Sequence, residues 1–367
     1  MTDQNYFDVI VKVYNAVGLK RSSPFPLKII SKYVLFPLLL ALCGMVVINL
    51  KYKSQDVFGV VEVFESVASF GQMLIRKLIL ILYSSKIEKI INERSLFWSY
   101  DYLGGDFSSR LNMKKNQVFT RLKLFWLMCC VAVTLVIVTP IFIEEKSLPS
   151  SCWMPTDNKF FFIVVYILQS IFFIELILIS PPTDGFFLFV CTDLEIQLQV
   201  LSNTLQNVHI GSNQEKCFEK LKQCSVYHRF LLNVHEDLNT VFSIYFVLQF
   251  LINIIGTTMQ FYILSNTPAD VTQVMRCIMY LMTVLFQGSI SFLPASNVEI
   301  EAEKLANEIY CLDWYNSPNL KIRKFVLFWL MKAQKPVQMS GGGLMTVNRN
   351  VFLQIPRTSF SICTLLG

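Results

Sequence analysis

Near the C-terminus, Asn350, Gln354, Arg357, Ser361 and Thr364 follow one another at steps of four, three, four and three. Residues three and four apart share a helix face, so these five form one polar stripe on an otherwise apolar segment, VFLQIPRTSFSICTLL at Val351–Leu366. A terminal membrane helix that keeps one wet stripe faces a water-filled path or polar neighbours. Arg357 has two readings, lining such a path, where its fixed charge opposes cations, or sitting beside it in a pair. Pro356 opposes the carbonyl of Phe352, and the kink expected there rotates Arg357, Ser361 and Thr364 relative to Asn350 and Gln354.

The remaining chemistry-bearing residues do not converge. His209, His228 and His235 all fall between the fourth and fifth apolar blocks, with no metal-ligand spacing between them. Phosphate-binding glycine loops and a G-x-S-x-G elbow are absent from the sequence. Glu62, Glu65 and Glu175 are the acids set inside apolar blocks, and Glu62 and Glu65 lie near the end of theirs. No enzyme, metal site or cofactor is expected.

The elements that position the stripe are membrane helices. Of 367 residues 53% are hydrophobic and only 16% charged, against roughly a quarter charged in soluble domains, and the mean hydropathy is +0.48. Seven blocks reach the ~20 residues that a span needs: 30–50, 57–83, 122–143, 159–181, 238–264, 271–293 and 343–366. No cleavable leader is expected before the first. Lys and Arg alternate with the blocks. Lys12, Lys20, Arg21 and Lys28 lead the rich set, which continues through Lys86–Lys123, Lys216–Arg229 and Lys304–Lys335, whereas the opposite set holds Lys51, Lys53, Lys146 and Lys159. Positive residues favour the cytoplasm, which places the N-terminus inside and the C-terminus outside.

The fold expected is an all-α membrane protein with seven transmembrane helices and a cytoplasmic helical anchor layer. Residues 1–293 hold the N-terminal segment and spans one to six with their extensions, 294–340 the anchor helices, and 341–367 the seventh span. The stretches 182–237 and 295–339 read as amphipathic helices that prolong the spans. Gly341–Gly343 marks either a break where the chain changes direction or hinges, or a plain loop, before the last helix. The ten cysteines do not form a disulfide framework; they behave as buried thiols.

The C-terminal block resembles the signature of insect odorant receptors. An acidic, apolar helix ends in EIYCLDWYN at Glu308–Asn316, a basic helix leads to a Q-K-P turn in RKFVLFWLMKAQKP at Arg323–Pro336, and a small-residue break precedes the final helix. Phe360 stands where the family has Tyr. The terminal Gln-Phe element of gustatory receptors and the long second cytoplasmic loop of the olfactory co-receptor are missing, so the chain is similar to an odour-tuning subunit. The resemblance implies a ligand-gated, non-selective cation channel in the plasma membrane of a sensory neuron. In it, the subunit joins co-receptor copies in a tetramer around one pore, embedded in lipid, with no nucleic-acid partner. It also implies a pore lined by Asn350, Gln354, Arg357, Ser361, Thr364 and Leu365, gated around Ser361–Leu365. Odorant binding is implied in the outer half of the bundle. Span two brings Val61, Phe64 and Phe70; span three Val133, Thr134 and Ile137; span four Phe162, Tyr166 and Gln169; span six Met275, Ile278, Met279 and Met282. Apolar burial holds such a ligand, and a few polar groups orient it.

Two other classes compete with this one. A secondary transporter uses intramembrane acids but also inverted repeats and broken helices, which the sequence lacks. A seven-helix chemoreceptor of the gustatory type shares the topology, and a G-protein-coupled receptor requires the N-terminus outside.

Overall fold

The computed structural model describes residues 3–16, 24, 26, 29–53, 57–100, 104–142, 148–155, 158–208, 214–266 and 271–366. Lys20, Arg21, Lys28, Lys146 and His209 lie outside the described residues. The elements are α1 (Asp3–Ala16), α2 (Ile30–Lys53, opening with a π-helical turn), α3 (Val57–Leu82), α4 (Ser84–Glu93), α5 (Gly105–Phe142), α6 (Lys159–Gln206), α7 (Gln214–Asn266), α8 (Val271–Cys311), α9 (Leu320–Ala333), a two-stranded hairpin of β1 (Ser340–Gly341) and β2 (Met345–Thr346), and α10 (Arg349–Leu366). The chain is an all-α bundle in which the seven apolar blocks fall on α2, α3, α5, α6, α7, α8 and α10.

Among the described residues, five helices are long and apolar enough to cross a bilayer: Ile30–Lys53, Gly105–Phe142, Lys159–Gln206, Gln214–Ser265 and Cys277–Asn316. Gly59–Leu82 with Ser84–Leu96 adds a sixth across a 70° bend. The polar stripe on α10 lowers its hydropathy, so it is not among them. The outside of the bundle is apolar. Leu40, Val47, Leu127, Val131, Ile163, Ile167 and Ile171 are all exposed, a surface that suits hydrocarbon and not water.

The 48 residues of α6 reach roughly 70 Å at 1.5 Å per residue, far beyond the ~30 Å apolar thickness of a bilayer. Its prolongation packs with those of α7 and α8 and with α9 into a helical layer at the base-rich end. The division expected between 293 and 294 therefore falls inside one continuous helix, α8, which carries Pro294 without breaking. Every residue from Ile179 to Leu198 of α6 is buried, which makes this helix the axis of the molecule. Phe187 packs on Phe242 and Phe246 with ring centroids 5.1 and 4.9 Å apart.

Charge is buried beside this axis. Arg76 and Asp184, both wholly buried, pair at 2.9 Å. Asp184 also accepts the Tyr245 hydroxyl at 2.8 Å, so α3, α6 and α7 meet on one carboxylate. Lys77 and Glu175 form a second buried pair at 2.6 Å. At the base-rich end Arg94 reaches Asp193 at 2.6 Å, and Lys114 bonds Glu195.

Gly341–Gly343 is where the chain changes direction, and it does so in a closed turn and not an open loop. Gly342 and Gly343 have φ of +57° and +72°, values that glycine adopts without a Cβ penalty. They close a tight turn in which Leu344 N–H donates to the Gly341 carbonyl at 2.9 Å. The hairpin is fixed to α7: Ser340 N–H donates to Asn239 Oδ1 at 2.7 Å and Gly342 N–H to Ser243 Oγ at 2.8 Å.

Candidate functional site

Two features stand out from the packed core. The first is the outward face of α10. Ile355, Ser359 and Cys363 are buried against α7, and the Ser359 hydroxyl donates to the Ile254 carbonyl at 3.0 Å. On α8 the Phe352 ring lies 2.6 Å from where a Cβ on Gly288 would be, so only a glycine admits it. Asn350, Gln354, Arg357, Ser361, Thr364 and Leu365 are all exposed on the other side. The helix runs unbroken through Pro356, and the stripe keeps one face on both sides of it; the expected rotation does not occur.

The second is a cleft of about 800 Å³ at the end of the bundle opposite the base-rich layer. Asn49 and Lys53 of α2, Glu62, Glu65, Ser66 and Ser69 of α3, Leu135, Val136, Thr139 and Pro140 of α5, and Phe162 and Phe173 of α6 line it, with Leu148–Cys152 and Met154 of the α5–α6 loop. That loop is tied on two sides. Trp153 N–H donates to the Met45 carbonyl at 3.1 Å, and Gln169, wholly buried, accepts from Ser150 N–H and donates to the Ser150 carbonyl, both at 3.0 Å. Gln169 also donates to Cys152 Sγ at 3.3 Å. The ten cysteines are free thiols.

The residues expected to hold a ligand are spread over several environments. Phe162 lines the cleft. Val61, Phe70 and Val133 are buried in the bundle, and Phe64 and Ile137 half-buried. The polar groups expected to orient a ligand are engaged within the protein: Tyr166 Oη donates to the Ile137 carbonyl at 2.6 Å, Thr134 to the Cys130 carbonyl at 2.8 Å, and Gln169 to the loop. Met275, Ile278, Met279 and Met282 face away from the bundle, with 45–59% of their surface exposed. Side chains of similar apolarity suit a cavity or lipid equally, so composition does not separate the two. Glu62 and Glu65 are legible in the sequence as acids near the end of an apolar block, and with Ser66 and Ser69 they are spaced as one helix face, which lines the cleft.

Among the described residues no cluster of His, Cys, Asp and Glu is placed to hold a metal. His228 serves packing: Trp329 Nε1 donates to its Nδ1 at 3.1 Å.

The family model described as 7tm Odorant receptor matches residues 59–360. The chain is 23% identical to Odorant receptor 22a of Drosophila melanogaster over 50% of its own length and 49% of that protein. It is 23% identical to Odorant receptor 65a of the same fly over 62% and 57%, so it spans about half the length of these relatives. With Odorant receptor Or2 of Anopheles gambiae it shares 20% identity over 85% and 88%. Among solved structures, the olfactory receptor OR5 from Machilis hrabei superposes with a TM-score of 0.79 at 16% identity, covering 99% of this chain and 97% of that one. The same receptor in complex with eugenol gives 0.78. At such identity the likeness carries the seven-helix fold.

Proposed function

The chain belongs to the 7tm odorant receptor family, and on that footing we propose that it is the odour-tuning subunit of a ligand-gated, non-selective cation channel. The observation that carries the reading is the outward face of α10. Asn350, Gln354, Arg357, Ser361 and Thr364 leave a continuous polar stripe on the surface of a single chain whose membrane bundle is otherwise largely apolar on the outside. An arginine facing hydrocarbon at mid-bilayer costs about 2.5–3.5 kcal/mol on insertion scales. The stripe is therefore covered by water and by other subunits. The pore is lined by these residues and Leu365, with its gate near Ser361–Leu365.

In this reading the N-terminus is cytoplasmic and the C-terminus extracellular, because the base-rich layer belongs in the cytoplasm. That layer, residues 294–340 with the prolongations of α6 and α7, is where the subunit meets co-receptor copies in a tetramer within the plasma membrane of a sensory neuron. The bundle of residues 1–293 takes the odorant in its outer half. The ligand enters the cleft beside Phe162 and bears on the buried side chains behind it, Phe70, Val133 and Gln169 among them, while Met275, Ile278, Met279 and Met282 contact lipid or a neighbour. The seventh span, residues 341–367, carries the stripe and is the conducting element.

Expression with and without a co-receptor subunit, followed by recording against a broad odour panel, tests this. Odour-evoked cation current is expected only with the co-receptor. Surface delivery with the co-receptor and no current to any odour would overturn the proposal, as would saturable solute uptake without channel events.

A further inference from the structure

We infer that Gln260 of α7 couples the outer cleft to the pore helix, as a positioning residue that carries a movement of the cleft wall across the bundle to α10. The inference rests on the reading of the cleft as the ligand site and of α10 as the pore helix, and it names the link between them.

The cleft and α10 do not share a wall. The cleft is lined by α2, α3, α5, α6 and the α5–α6 loop, whereas α10 packs on α7 and α8, neither of which lines the cleft among the described residues. Glu65 of α3 crosses this gap. It lines the cleft, and its Oε1 accepts from Gln260 Nε2 at 2.8 Å. Gln260 is 1% exposed. A buried amide gives up such a bond only by leaving a desolvated donor unpaired, so α3 and α7 stay joined here.

The far side of the same helical turn is fixed to α10. Ile254, Thr258 and Phe261 follow at steps of four and three and share one face of α7. The Ile254 carbonyl accepts from Ser359 Oγ at 3.0 Å, Thr258 Oγ1 donates to the Ser359 carbonyl at 3.5 Å, and the Phe261 and Phe360 rings pack edge to face with centroids 6.1 Å apart. Gln260 is one residue from Phe261 and two from Thr258, separations that point to different sides of a helix. One turn thus holds α3 on one side and α10 on the other, and its own backbone hydrogen bonds keep it stiff between them. Phe360 directly precedes Ser361, the first residue of the proposed gate. A molecule that fills the cleft bears on the Glu65 carboxylate, and Gln260 passes the displacement through the turn to Phe360.

The test installs an occupant of known chemistry. In a Cys152→Ser background, Ser69→Cys places a thiol in the cleft lining, and benzyl methanethiosulfonate is attached to it in the full chain in nanodiscs, with attachment read by mass spectrometry against the Cys152→Ser chain treated alike. Hydrogen exchange of the α10 amides from Thr358 to Leu366 is then followed with and without the tether. The tether is expected to change their exchange rates by about fivefold or more, and Gln260→Leu to reduce that change below about twofold at equal attachment. Glu65→Leu removes the same bond from the other side and should do the same, and the double variant should lose no more than either single one. Gln249→Leu separates coupling from mere stability. Gln249 is equally buried on α7 but bonds Asn253 and Gln287, so its loss should lower the thermal midpoint and leave the response of α10 intact. An α10 that does not respond to the tether, a full response in Gln260→Leu, or an equal loss in Gln249→Leu would overturn the inference. Current with a co-receptor is recorded beside these measurements. A response of α10 that depends on Gln260, with no current under any condition, upholds the coupling and counts against the channel reading instead.

Discussion

Gln169 is wholly buried between α6 and the loop that roofs the cleft, with its amide bonded to both backbone groups of Ser150 and to Cys152 Sγ. Replacing it by Leu leaves the Ser150 N–H and carbonyl buried without partners, at roughly 1–3 kcal/mol each. The loop should then open more often, and Cys152, only 9% exposed, should react with a maleimide about tenfold faster or more. The rate is read against a Cys152→Ser background, and an unchanged rate means that the clamp does not hold the loop. A second residue-scale expectation concerns His228 in the helical layer. Burial, with Lys332 adding to it, pulls its pKa down to about 4, below the ordinary value of about 6.5. Between those values the unfolded chain binds a proton that the folded one excludes, so stability rises with pH across the window. His228 should contribute its full stability above pH ~6.5 and lose up to roughly 3 kcal/mol as pH falls through 4, with His235, also pulled down to about 4 by burial, adding to the same window. His228→Phe should flatten the slope of thermal midpoint against pH between these limits; identical slopes would refute the assignment.

At the scale of elements, the hairpin between α9 and α10 offers a graded test. Gly342 and Gly343 both have positive φ, but a Cβ on Gly343 meets nothing within 4 Å, whereas one on Gly342 lies 2.9 Å from Val247 Cγ2 on α7. Gly343→Ala should cost about 1 kcal/mol from backbone conformation alone. Gly342→Ala should cost more, and Val247→Ala in the same chain should bring it back to the level of Gly343→Ala. Thermal midpoints in detergent decide the order, and equal losses for the two glycines would show that the hairpin is not seated on α7. Hydropathy made the helices legible because each apolar block had to become one. It did not show how far they continue: the block at 122–143 is part of a helix that starts at Gly105, since hydropathy reports the membrane and not the helix. The Gly run was visible, but its docking on Asn239 and Ser243 was not, because those partners lie about a hundred residues away. Arg76 and Lys77 were absorbed into an apolar block for the same reason, as Asp184 is 108 residues distant from Arg76. The polar face of α3 has the same helical spacing as the stripe on α10, and it is legible by the same rule. The direction in which Met275, Ile278, Met279 and Met282 point was not legible, because a methionine toward lipid and one toward a cavity carry the same signal.

For the whole molecule, the question is what covers α10. Its inner face is closed by Ile355, Ser359 and Cys363, and exposed Phe360 meets Phe261 of α7 with ring centroids 6.1 Å apart, so the helix is held by α7 and α8 and turns a fixed outer face to whatever adjoins it. Because the stripe keeps its line through Pro356, Arg357 stands on the same side as Gln354 and Ser361, and the two readings left open for it become testable together. If the face lines a cation path, a fixed positive charge there raises the barrier to permeation. Arg357→Gln should then increase unitary cation conductance by about two- to tenfold, equivalent to about 0.4–1.4 kcal/mol of barrier. Gln354→Ala and Ser361→Ala should alter conductance or the relative permeability of sodium and calcium in the same assembly. If Arg357 instead pairs beside the path, Arg357→Gln should reduce surface assembly and leave the conductance of the surviving channels alone. Single-channel recording of the chain with a co-receptor subunit separates these outcomes, and unchanged permeation in Gln354→Ala, Ser361→Ala and Arg357→Gln together would remove the stripe from the pore and assign it to a polar contact between subunits.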